Sequence, residues 1–122
     1  MNVQSYRDLI VWQKCVDLVA EIYAVTEPFP KSQLFSLSQQ MQKAAISVPC
    51  NIAEGQGRST TKDYLNFLHI ARGSLQELET QLFIAHRLGF TSETARNETL
   101  AKTMEIGRLL NGLIRSLSST DS

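Results

Sequence analysis

The side chains that could do chemistry in this chain are few, and their spacing decides most of what they can do. His69 and His86 are the only histidines. Metal centres built inside helical bundles place a glutamate three residues before each of two histidines. Here those positions hold Asn66 and Phe83, and the two rings fall on different helix faces, so no metal site is expected. Glu77 and Glu79 stand two apart on a helix and point away from each other, which rules them out as an acid–base pair. Gly55-Gln56-Gly57-Arg58-Ser59-Thr60 precedes a helix start, where backbone N–H groups can cradle phosphate. It has neither the lysine of a phosphate loop nor a strand before it, so it reads as a turn between helices. Cys15 and Cys50 are far apart, and Cys50 has no histidine near it in sequence. Both read as buried thiols in a reducing compartment. No serine occupies a nucleophile elbow. The expectation is a protein with no catalytic residue, no cofactor and no small-molecule substrate.

Basic side chains are the remaining candidates, because a guanidinium fork matches phosphate geometry. Lys43, Arg58 and Arg72 are expected to converge around the turn between the second and third helices, while Arg108 and Arg115 share a face of the last. Glu98–Lys102 and Glu105–Arg108 have the spacing of local helix pairs. The basic residues are not interleaved with the aromatics that bind single strands. Twelve basic and twelve acidic residues cancel, so any attraction for nucleic acid must be local.

These groups have to be positioned by helices. From Thr61 to Leu88, the residues Tyr64, Leu68, Ala71, Leu75, Leu78, Leu82 and Ala85 alternate in steps of four and three. That is the seam of a helix packed among helices. A second line, Phe67, Ile70, Ser74, Ile84 and Leu88, predicts a broad buried stripe. Thr60 with Asp63 caps its start, and Gly89 suits a left-handed stop.

The first helix is expected over residues 6–26, with Ser5 and Asp8 as a capping box. It carries two adjacent seams: Leu9, Trp12, Val16, Val19 and Tyr23, and Val11, Cys15, Leu18, Ile22 and Val25. Glu27-Pro28-Phe29-Pro30 ends it, with Phe29 plugging the core. The second helix, over 33–55, turns Leu34, Leu37, Met41, Ala44, Ala45 and Val48 inward and kinks at Pro49. The fourth, over 92–117, has Leu100, Thr103, Gly107, Leu110, Ile114 and Leu117 as its seam, and Ser116 to Ser122 form a frayed tail. Gly107 and Gly112 suggest a close helix approach or a soft segment.

Residues 1–122 therefore read as one all-α domain, an antiparallel up-down four-helix bundle. The first residues show no signal-peptide pattern, and no apolar run approaches the ~20 residues that span a bilayer. No membrane association and a cytoplasmic location are expected. Leu65, His69, Arg72, Gln76, Glu79 and Phe83 line the third helix opposite its seam. Leu65 and Phe83 have no core to enter there, which marks a subunit interface.

Asp8-Leu9-Ile10-Val11-Trp12-Gln13-Lys14, Phe29-Pro30, Ala44-Ala45-Ile46-Ser47-Val48-Pro49 and Asn51-Ile52-Ala53-Glu54-Gly55 follow one another in a telling order. Tyr64, Phe67-Leu68, Ala71-Arg72-Gly73-Ser74-Leu75-Gln76-Glu77-Leu78-Glu79 and Leu88-Gly89 continue it. With them the chain resembles the bacterial four-helix-bundle proteins labelled 23S ribosomal-RNA intervening-sequence proteins. The resemblance implies a bundle that assembles as a ring-like homopentamer and has no established catalytic residues. Some members are encoded within insertions in large-subunit ribosomal RNA genes. A more distant relative, the accessory protein of diversity-generating retroelements, binds a reverse transcriptase and nucleic acid through a basic surface. Family members commonly carry two arginines before Ala44-Ala45, where this chain has Gln42-Lys43. The expected function is thus a self-associating, RNA-associated adaptor, with a protein-binding scaffold that binds no nucleic acid as the alternative.

Overall fold

The computed structural model describes residues 5–120, so the first four residues and the last two of the tail lie outside it. Four helices, α1 (Ile10–Thr26), α2 (Leu37–Gln56), α3 (Thr61–Arg87) and α4 (Glu93–Thr120), make up the fold, with no strand among the described residues. Each packs on two neighbours: α1 and α3 both touch α2 and α4. Cross-helix pairs establish the directions. Lys14 meets Glu105 while Glu21 meets Lys102, and Arg72 meets Asn111 while Glu79 meets Thr103. Ser47 bonds Ser74, Gly55 touches Phe67, and Gln42 reaches Thr26. Every adjacent pair is antiparallel.

The seam of α3 is the core. Leu68, Ala71, Leu75, Leu78, Leu82 and Ala85 are buried, against Met41, Ala44, Ala45, Val48 and Ile52 of α2 and Ile106, Leu110 and Ile114 of α4. Thr60 Oγ1 accepts from the Asp63 N–H at its start. At its end Gly89 adopts a φ of +79°, letting the Phe90 N–H reach the Ala85 carbonyl and its own N–H reach His86. This double closure satisfies carbonyls that the helix leaves unpaired. Phe90 then stacks on Phe29, ring centroids 5.6 Å apart, and both close that end of the core.

Several expectations are corrected. The second line of α3 is only partly covered: Phe67 and Ser74 are half-buried, while Ile70, Ile84 and Leu88 are exposed. On α1 only the seam of Val11, Cys15, Leu18 and Ile22 is buried, whereas Val16 and Tyr23 face outward. Each helix meets its neighbours along one stripe, and four helices of this length cannot cover a second one. The Ser5–Asp8 capping box forms, but it caps a 3-10 turn at Tyr6–Asp8; Leu9 is extended, and α1 begins after it. Likewise Lys31–Gln33 is a separate 3-10 turn, α2 begins at Leu37, and Leu34 is exposed rather than inward. Beyond Leu117, α4 continues where a frayed tail was expected, with the Ser118 hydroxyl bonded to the Ile114 carbonyl. The expected pairs within α4 are replaced by pairs across to α1, Lys102 with Glu21 and Lys14 with Glu105 at 3.2 Å. As expected, α2 continues past the buried Pro49, and it ends at Gln56.

The close helix approach is at neither Gly107 nor Gly112. A Cβ at Gly107 would make ordinary contact with Leu75, and one at Gly112 would meet open space. It lies at Gly55, where a Cβ would sit 2.7 Å from the Phe67 Cβ and 3.2 Å from the Tyr64 carbonyl oxygen. These atoms belong to the backbone and its first side-chain carbon, so only a shift of a whole helix could make room. Gly55→Ala should therefore lower stability by about 1–3 kcal/mol, the usual cost of overpacking. Gly112→Ala, in an open helix interior, should raise it by up to about 1 kcal/mol. Thermal melts of the two variants, moving in opposite directions, check both.

Candidate functional site

Two rows of side chains on α3 and α4 face each other across a shallow depression of about 240 Å³. Arg72 projects from α3 into it. Its Nη1 donates to Asn111 Oδ1 at 3.0 Å, and its Nη2 lies 3.0 Å from His69 Nδ1. Because arginine only donates, His69 Nδ1 must accept, which leaves the neutral ring's proton on Nε2. Two neighbours thus hold the guanidinium in one orientation. Arg108, one turn before Asn111 on α4, lines the same depression. Arg115 lies a further turn along that face, exposed. Glu79 stands at the other end, its carboxylate accepting from the Thr103 hydroxyl at 2.8 Å.

The other two basic candidates are placed elsewhere. Lys43 lies in the depression between α2 and α3, beside Glu77. That is the opposite flank of α3 from Arg72. Arg58, at the α2–α3 turn, is paired with Glu54 at 2.6 Å and stacked over the Phe67 ring at 4.7 Å. The expected convergence of Lys43, Arg58 and Arg72 does not occur; Arg72 and Arg108 come together instead. Sequence reasoning missed Asn111, which orients Arg72. Its position between Arg108 and Arg115 on one face was the available signal.

The expected interface line is also revised. Leu65 does find apolar neighbours, since it packs partly buried against the core. Phe83 stays half-exposed, with the Arg96 guanidinium over its ring at 5.3 Å. Arg96 also lies 3.1 Å from His86 Nδ1 and bonds Asn97. His69, bonded to Arg72, and His86, bonded to Arg96, are thus each tied to a guanidinium. Among the described residues no three of His, Cys, Asp or Glu come together as a metal would require. Among the described residues no helix is long and apolar enough to cross a membrane.

An all-α bundle of four antiparallel helices, with Arg72 and Arg108 lining one outer groove, is the class of protein defined here. Residues 7–112 match the family model of the 23S rRNA-intervening sequence protein. The chain belongs to that family. Among solved structures it is similar to a protein of unknown function from the S23 ribosomal protein family of Bacteroides thetaiotaomicron. The two share 23% identity over 87% of this chain and 96% of that one, with a TM-score of 0.81, which speaks for the fold. No curated protein matches the sequence.

The cysteines separate sharply. Cys15 is fully buried, and loss of solvent pushes its thiol up to about 12. Cys50, expected to be buried, is exposed on the outer side of α2. At pH 8, and at a dilution that keeps copies apart, an alkylating reagent should modify Cys50 in the folded protein and leave Cys15 untouched until unfolding. Mass spectrometry of the singly labelled protein checks this. Because the Cys15 value is raised from 9.0, the buried thiol's stabilising contribution is intact below pH 9. It should be lost as the pH rises from there towards 12.

Proposed function

We propose that this chain is a non-enzymatic, cytoplasmic adaptor that associates with RNA through the α3–α4 groove and acts as a homo-oligomer. The ring of five subunits implied by the family resemblance would be its assembled form. One observation carries the reading: Arg72 is held by Asn111 and His69 beside Arg108, with Arg115 further along the same face. A guanidinium braced in this way loses little freedom on meeting a phosphate, and phosphate contacts supply most of the affinity of such interfaces. With zero net charge, a single copy offers only a short basic strip. Several copies would present several strips to one strand, and linkage raises avidity without new contacts.

A second reading, a protein-binding scaffold, is favoured by the exposed apolar surface. Phe35 is 83% exposed, and Leu34, Ile70 and Leu88 are each more than half exposed.

Fluorescence anisotropy with a structured RNA at two salt concentrations separates the two. RNA association predicts binding that weakens steeply with salt. Each of Arg72→Glu, Arg108→Glu and Arg115→Glu should reduce the logarithmic salt slope by about one unit. Lys43→Glu, on the other flank of α3, should leave the slope unchanged. An unchanged slope in all three arginine variants would refute the groove. Absence of binding even at low salt would leave the scaffold reading.

A further inference from the structure

The outer face shared by α1 and α2 carries an apolar groove of about 340 Å³. Trp12, Val16 and Val19 form one wall and Ile46, Pro49 and Cys50 the other, and no charged residue lines it. Tyr6 closes one end, its ring edge-on to Trp12 at 5.2 Å. Val16 and Ile46 are each more than one-third exposed among the described residues of a single copy.

At the opposite end of the bundle stands a shape that answers it. Leu34 and Phe35 project from the connection before α2, 54% and 83% exposed. The projection is braced rather than loose. The Leu34 N–H bonds the Lys31 carbonyl, the Ser36 N–H bonds the Gln33 carbonyl, and the Ser36 hydroxyl bonds Gln33 Oε1 at 2.9 Å. Leu88 lies exposed at the same end, by the antiparallel register of α2 and α3. Aromatic side chains, phenylalanine among them, are enriched in the cores of protein interfaces.

Phe35 cannot reach the groove of its own chain. It precedes α2, and Ile46 lies about 14 Å along that helix from Leu37, at 1.5 Å per residue. We propose that the Leu34–Phe35 projection of one copy seats in the α1–α2 groove of a second copy. Each chain carries both halves of the contact, both halves are uncharged, and a chain of zero net charge does not repel its copies. Because projection and groove are different patches, the contact is head-to-tail and propagates to a closed ring or an open filament. This rests on the self-association proposed above and names the surfaces that would carry it.

The test uses the full chain, with Phe35→Ala removing the projection and Val16→Glu spoiling the groove. Both residues are exposed, so both variants should fold, as their helical circular dichroism would verify. Light scattering across a concentration series should show an oligomer for the wild type. Each variant alone should weaken self-association by about 30-fold or more, the usual loss of a buried aromatic anchor. Mixed in equal amounts, the two variants should form a one-to-one dimer. Only the intact Phe35 of one and the intact groove of the other remain to meet. A wild type that is monomeric throughout would overturn self-association itself and this contact with it. An oligomer unchanged by both variants, or disrupted by both without recovery on mixing, would overturn this contact and leave self-association standing.

Discussion

The structure depends first on how closely α2 can lie against α3. At Gly55 the two helices come so near that no side chain fits between the α2 backbone and Phe67. Small residues continue the approach, with Ala44 and Ala45 on α2 and Ala71 on α3 all buried. Further along, the Ser47 and Ser74 hydroxyls bond each other at 2.8 Å, and Asn51 Nδ2 donates to both the Ser47 hydroxyl and its carbonyl. These short polar groups fit an interface too narrow for long ones, and they fix its register. With α2 and α3 clamped, α1 and α4 are laid against the pair, and the outer grooves follow from where those two come to rest.

Four ion pairs form within the bundle among the described residues. Lys14 with Glu105 and Lys102 with Glu21 tie α1 to α4; Arg58 pairs with Glu54, and Arg96 with Glu93 at 3.7 Å. The Lys102 ammonium donates to the Glu21 carboxylate, and this bond raises it above the ordinary lysine range. Exposed pairs of this kind contribute about 0–1 kcal/mol each, so they set register more than stability. Arg72 and Arg108 are different. Arg72 is held by Asn111 and His69 and pairs with no carboxylate among the described residues. A neutral chain can therefore still present a local positive strip, because a surface field follows where charges sit and not their sum.

Apolar surface is distributed just as unevenly. The α1–α2 groove and the Leu34–Phe35 projection lie at opposite ends of the bundle, and among the described residues neither is covered. Burying them would repeat between copies what the α3 seam does within one, which is to remove apolar area from water.

Much of this was legible in the residues themselves. The four-and-three spacing of α3 marked its core, because a helix repeats every 3.6 residues whatever surrounds it. Thr60 and Gly89 marked its ends through backbone chemistry that is equally local, and the Asn51–Gly55 segment pointed to the family. What tertiary structure alone decided were matters of distance between helices. Periodicity on α1 showed two apolar seams but not which one a neighbour would cover, and Val16 and Tyr23 were left outside. Lys102 had Glu98 at pairing distance along its helix, yet it turned to Glu21 on another. Cys50 looked like a core thiol and faces water; Leu65 looked stranded and packs on the core. Arg72 gained its orientation from Asn111, thirty-nine positions away in the chain. Local spacing fixes which side chains share a face. Only the packed arrangement of all four helices fixes what each face meets.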